Sequence, residues 1–130
     1  MSQANHDIVH TFFAALSRGE VPNDLVAPDM TAWTALSGTS NLARFEAGIR
    51  MLASLFSEPF LYTVDSLTAE EDRVAAEVRA AGTLIGGEHY ENRYVFMFRI
   101  RDGKIVAVAE HTNVVLVRDK LVPLLASAVR

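Results

Sequence analysis

In the stretch His89-Tyr90-Glu91-Asn92-Arg93-Tyr94-Val95-Phe96-Met97-Phe98-Arg99-Ile100-Arg101, Tyr90, Asn92, Tyr94, Phe96, Phe98 and Ile100 alternate with Glu91, Arg93, Val95, Met97 and Arg99. Side chains on a strand point to opposite faces in turn, so one face of this segment is aromatic and the other is mixed. A period of two over this length predicts a strand whose aromatic face meets helices. Phe60 to Leu67, Arg73 to Thr83 and Lys104 to Val117 share its content of branched and aromatic residues. The breaks between them, Glu70-Glu71-Asp72, Gly86-Gly87 and Asp102-Gly103, carry turn chemistry. Four consecutive antiparallel strands are expected.

Upstream the period changes. Val9, Phe12, Phe13 and Leu16 fit one face of a helix, with Asn5 as its expected cap and Gly19 as its stop. Leu42, Phe45, Ile49, Leu52 and Phe56 recur at spacings of three and four, which predicts a second helix over Asn41 to Phe56, ended before Pro59. Between them, Pro22, Pro28 and Gly38 leave room for a short helix near Asp24 and a strand near Thr31 to Ala35. The tail, Arg118 to Arg130, reads as a short helix anchored by Leu121, Leu124 and Leu125, with Pro123 against it. Helices followed by a strand meander make an α+β order, in which the helices cover one face of the sheet. With neither linker nor repeat, residues 1–130 read as a single domain.

The composition narrows the function. The chain has 130 residues, half of them hydrophobic, and a formal net charge of -4, which argues against a basic surface for nucleic acid. It has no cysteine, so disulfides, thiolate nucleophiles and Cys-based metal sites are excluded. The segment Met1 to Asp7 lacks the basic and apolar regions of a signal peptide, and no apolar run approaches the ~20 residues that span a bilayer. A cytoplasmic location and no membrane partner are expected. No pair of its four histidines has metal-ligand spacing on a helix, so no metal is expected, and His6 and His10 near the helix start should be solvated. Neither glycine-bearing turn opens a helix that would cradle phosphates, so no cofactor is implied.

The side of the last strand that joins the aromatic face depends on the turn. A two-residue loop at Asp102-Gly103 sets Ala107, Ala109 and His111 beside Phe98, Phe96 and Tyr94. A three-residue loop with Gly103 left-handed in a bulge sets Val106, Val108 and Glu110 there. The bulk of Val106 and Val108 favours the second, which aims Glu110 inward opposite Tyr94. A carboxylate on an apolar face must be hydrogen-bonded, protonated through a raised pKa, or open to a wet cavity. Glu110 is therefore the candidate acid/base. Asn92, Tyr90 and Tyr94 are candidates for orienting a substrate, and Trp33, Phe12, Phe96 and Val108 for lining its cavity; held instead by its neighbours, Glu110 is architecture.

The run Ile8 to Glu20, then Trp33, then Tyr90 to Phe96, then Asp102-Gly103-Lys104-Ile105 and Glu110-His111-Thr112-Asn113, resembles the SnoaL-like, ketosteroid-isomerase-like branch of the nuclear transport factor 2-like superfamily. The resemblance spans nearly the whole chain. It implies a cone: a curved antiparallel sheet wrapped around N-terminal helices, with a pocket for a small apolar molecule and a homodimer through the outer sheet face. Ketosteroid isomerases use a carboxylate base with a tyrosine and a protonated aspartic acid. Those positions align near Trp33, at Phe12 and at Phe96, so that mechanism is not expected here. The cyclases and epoxide hydrolases of the class carry an acid on the last strand, which falls at Glu110. The arginine and second acid of the hydrolases have Arg79 and Glu77 as nearest matches, both expected on the outer face with His111. A Glu-Tyr-x-Asp pattern of the branch reads Glu110-His111-Thr112-Asn113, without the final acid. Three readings stay open: a cofactor-independent isomerase, cyclase or hydrolase, a binding protein for a hydrophobic ligand, and a dimeric scaffold.

Overall fold

The computed structural model describes residues 2–128. Helix α1 (Ser2–Leu16) leads into strand β1 (Val26–Thr34), a short β2 (Gly38–Asn41) and helix α2 (Leu42–Ser54). Strands β3 (Leu61–Glu70), β4 (Arg73–Thr83), β5 (His89–Arg101) and β6 (Lys104–Thr112) follow, and the chain ends in helical segments from Val114. One sheet takes the order β2-β1-β6-β5-β4-β3. The last four strands form the expected antiparallel meander, while β1 joins β6 in parallel and makes the sheet mixed.

Alternation in β5 is complete: every residue from Tyr90 to Ile100 on the aromatic face is buried and every one between them is exposed. Helix α1 lies on that face. Phe12 meets Phe98 edge-on at 5.3 Å between ring centroids and Phe13 meets Phe96 at 4.9 Å. Each fully buried ring contributes about 1.5–3 kcal/mol relative to an exposed one. Phe45 of α2 stacks on Phe12 at 6.2 Å, so α2 closes the layer from outside and itself buries no residue completely.

Several local expectations need correction. Asn5 lies inside α1, and its side chain donates to the Glu71 carbonyl instead of capping. Asn41 caps α2, accepting from the Arg44 amide at 2.9 Å. The region of Asp24 is a turn without a helix, held by the Leu25 amide on the Pro22 carbonyl, and the strand near Thr31 begins earlier, at Val26. β6 stops at Thr112 because Asn113 caps a helical turn with its side-chain oxygen on the amides of Val115 and Leu116. The tail is helical from there through a π turn, Val117–Leu121, into Val122–Ala128. Pro123 cannot donate a backbone hydrogen bond, and the wider π turn precedes it. Leu121 is buried, with Leu124 and Leu125 packed against the core; Val129 and Arg130 lie outside the described residues. His6 is half-buried, not solvated, and its Nε2 is buried without a hydrogen-bond partner among the described residues.

The β5–β6 register combines features of both alternatives. Arg101 pairs with Lys104 across a two-residue turn, with Asp102 at φ 54° and Gly103 at φ 74°. These left-handed conformations match the twist of a hairpin. The register then shifts between Arg99 and Ile100: Ile105 pairs with Ile100 and Ala107 with Arg99, leaving Val106 as an extra residue. Ile105, Val108 and Glu110 consequently share the inner face, and Glu110 sits opposite Phe96, not Tyr94 as the three-residue loop required.

Candidate functional site

The inner face of the sheet is graded along its strands. Toward the end of β5 and the start of β6 it is wholly apolar, with Phe98, Ile100, Ile105 and Val108 buried. Toward the start of β5 and the end of β6 it gains Tyr90, Asn92, Tyr94 and Glu110. Tyr62, on the inner face of β3, joins them with its ring 6.4 Å from that of Tyr94.

Asn92 is buried and fully engaged. Its Nδ2 donates to the Tyr90 hydroxyl at 3.0 Å and to the Asn113 carbonyl at 3.2 Å, and its Oδ1 accepts from the Arg93 amide at 2.8 Å. It fixes Tyr90 and ties the tail to β5, which leaves it no donor for a ligand. Burial, then the charge of Glu110, raises the pKa of Tyr62; burial, then Tyr62, Tyr90 and Glu110, raises that of Tyr94. Burial also raises Tyr90, against the lowering effect of its bonds with Asn92 and Tyr94. All three phenols stay protonated at neutral pH and are available as donors.

Glu110 is half-buried, and its carboxyl makes no side-chain hydrogen bond among the described residues. Burial pushes its carboxyl up from 4.5 to about 7. It lines a cavity of about 30 Å³ with Thr34, Leu36, Thr112, Val114 and Val117, a space of one water's size. The cavity is roofed by the β1–β2 turn and the tail. A larger cleft of about 250 Å³ opens nearby between the ends of α1 and α2, and Tyr62 is one of its walls.

Not all the expected lining residues reach this region. Trp33 is on the outer face, 37% exposed, with its ring 5.1 Å from that of His111. The cause is the parallel pairing of β1: Trp33 sits beside Ala109 and Thr34 beside Glu110, so alternation turns the indole away. Phe12, Phe96 and Val108 are buried in the core and border neither the cavity nor the cleft. Glu77 and Arg79 are on the outer face as expected. Arg79 holds Asp65 through a two-pronged ion pair at 2.9 Å, and Glu77 accepts from Ser66. Tyr62 was not singled out by sequence, although Phe60, Tyr62 and Val64 alternate with Leu61, Thr63 and Asp65 and pointed to it. Leu36, Val114 and Val117 come from a turn and a helix end, where no period places a side chain. Among the described residues no group of three or more His, Asp or Glu side chains is placed to hold a metal ion. No described helix is long and apolar enough to cross a membrane.

Solved structures share this architecture. An NTF2-like protein from Anabaena variabilis is 24% identical over 85% of this chain and 87% of its own, with a TM-score of 0.75. IdmH, a proposed polyketide cyclase from Streptomyces antibioticus, is 21% identical over 89% of this chain and 96% of its own, with a TM-score of 0.76. A protein of ketosteroid isomerase-like fold from Catenulispora acidiphila, in complex with trimethylamine, is 20% identical over 79% of this chain and 82% of its own, with a TM-score of 0.67. At these identities the likeness speaks for the fold. No curated protein matches the sequence. The SnoaL-like domain family matches residues 9–108, from the apolar face of α1 to the inner face of β6, and the chain belongs to that family.

Proposed function

We propose that the protein is a cofactor-independent acid–base catalyst of the isomerase, cyclase or hydrolase type acting on a small apolar molecule, with Glu110 as the proton-transfer group. The observation that carries this reading is a carboxyl without a hydrogen-bond partner among the described residues, on an apolar face with the buried Tyr90 and Tyr94 and the half-buried Tyr62. With its pKa raised to about 7, Glu110 is divided between acid and base forms near neutral pH, where a proton-transfer group works best. The protonated hydroxyls of Tyr94 and Tyr62 supply donors for a substrate oxygen on which charge develops. Asn92 serves by holding Tyr90. The proposed cyclase activity of IdmH, a structural neighbour, accords with this class of chemistry. Glu110→Gln should lower turnover by about 10²–10⁴ on a substrate of this class; full turnover in that variant would remove Glu110 from the reaction.

One observation favours a second reading. The space at Glu110 is only about 30 Å³, and the rings of Phe12, Phe13, Phe96 and Phe98 fill the rest of the inner face. A scaffold without a ligand would need no more. No binding of a small apolar molecule would then be measured.

We also propose a homodimer through the outer sheet face. Trp33, Val95 and Met97 are exposed there around Ala107 and Ala109, and ion pairs of Arg79 with Asp65 and Arg99 with Asp72 flank them. Sedimentation should give twice the chain mass, and Met97→Glu should give the monomer. A wild-type monomer at micromolar concentration would refute this.

A further inference from the structure

We propose that the small cavity at Glu110 is a binding site for one water molecule, and that Thr34 is the positioning residue that turns this water to donate to the carboxylate. This deepens the acid–base reading and rests on it. Thr34 of β1 is the strand partner of Glu110, and Thr112 stands two residues along β6 on the same face, so two threonines and the carboxyl line one space. Ala35, Leu36, Val114 and Val117 complete its walls with apolar groups. Its volume of about 30 Å³ exceeds the ~10–15 Å³ that a water needs, and three polar groups fall within the roughly two to four that hold a buried one.

The neighbours of each hydroxyl fix its direction. The Thr34 hydroxyl oxygen accepts from the Ser37 amide at 3.0 Å, and its own proton has no acceptor among the described residues. The Thr112 hydroxyl donates to the Arg93 carbonyl at 2.6 Å, which leaves it able only to accept. An ionised carboxylate also only accepts. Among the described residues none of the three is hydrogen-bonded to another. They therefore offer one donor and two acceptors around a space of one water's size. A water that accepts from Thr34 and donates to Glu110 and Thr112 satisfies all three. Such a water favours the ionised form of Glu110, against burial, which favours the neutral one. Thr34 thus acts on the charge with which Glu110 meets a substrate, without touching the substrate itself.

The test is a crystal structure of the full chain at a resolution that shows ordered waters, together with NMR titration of the Glu110 side-chain carboxyl in wild type and three variants, each verified as folded by circular dichroism. Wild type should show one water within hydrogen-bond distance of Glu110, Thr34 and Thr112. Thr34→Val removes the donor, and should raise the proton affinity of Glu110 about three- to tenfold. Val117→Ile fills the space with a methyl group and keeps both hydroxyls; it should raise the affinity in the same way, and it serves if Thr34→Val disturbs the turn by losing the Ser37 contact. Thr34→Ser keeps the hydroxyl and should stay within about twofold of wild type. No water at the three groups in wild type, or wild-type proton affinity in both Thr34→Val and Val117→Ile, would overturn the proposal. A change in Thr34→Ser as large as that in Thr34→Val would also overturn it, since the hydroxyl would not be the cause. If the water and the titrations are as expected but Glu110→Gln retains full turnover of a substrate, the water site stands and only the acid–base role of Glu110 falls.

Discussion

Replacing Glu110 by glutamine should make the protein more stable at alkaline pH, because the substitution removes a carboxylate that the fold must otherwise bury ionised. The folded state holds the Glu110 proton up to about pH 7, while the unfolded chain releases it near the ordinary 4.5. The folded pKa is the higher one, so this group's favourable contribution is complete below 4.5 and is lost as pH rises to 7. At about 1.4 kcal/mol for each tenfold change in proton affinity, the loss comes to about 3 kcal/mol, and partial solvent access of the half-buried side chain reduces it toward about 2. Glu110→Gln has no such dependence. Urea unfolding followed by circular dichroism at pH 4.5 and pH 8.5 should give near-equal stabilities at the lower pH and a more stable variant by about 2–3 kcal/mol at the higher. Other carboxylates, including Asp65, whose pKa is lowered chiefly by its hydrogen bond to Arg79, titrate alike in both proteins and cancel in the difference. A difference that does not change with pH would refute the burial argument. A variant less stable than wild type at pH 8.5 would show that the carboxylate gains more from its surroundings than burial costs it.

Gly82→Ala places a Cβ 2.8 Å from Phe56 Cδ2 and 3.3 Å from Phe60 Cδ1, which forces the stacked pair off β4; urea unfolding should show a loss of about 1–3 kcal/mol, and an unchanged midpoint would contradict this packing. Asn92→Ala removes two donated hydrogen bonds from a buried position and should cost about 2–3 kcal/mol by the same measurement, with increased hydrogen exchange at Val115 and Leu116 as the tail loses its tie. Exchange that stays at the wild-type rate would mean that Asn92 does not hold the tail.

The sequence reveals the sheet where the period of two is long and uninterrupted. β5 is the best case, since each aromatic residue named on its inner face is buried there. The inward aim of Glu110 was also legible, although for an incomplete reason: the bulk of the valines pointed to the correct face, and a bulge at Val106 plus a two-residue turn replaced the three-residue loop. Propensity at the turn and packing in the strand were each satisfied separately, which a single choice of loop length does not express. Trp33 was misplaced because its orientation depends on a parallel partner about 75 residues away. No local pattern carries that information. Val114 and Val117 were hidden for a related reason: continuous valine content made Lys104 to Val117 read as one strand, and the Asn113 cap that ends it acts through a side-chain oxygen that β-propensity ignores.

The same face that makes the core also makes the candidate site, and this explains why the two were hard to separate by sequence. Phe12 and Phe13 of α1 bind to Phe96 and Phe98, one turn of alternation from Tyr94 and Asn92, so stability and chemistry share one strand and one register. A slip in the β5–β6 pairing would bring His111 and Ala109 inward and turn Glu110 out with Val108, emptying the core as it removed the acid. The packing of the core thus fixes the direction of Glu110 without regard to its chemistry. Placement of a carboxyl there is a separate matter: leucine would satisfy the core at position 110, and a buried carboxyl costs the folded protein stability at neutral pH. A carboxyl placed at that cost in this position is the strongest physical reason to seek its role in binding or proton transfer.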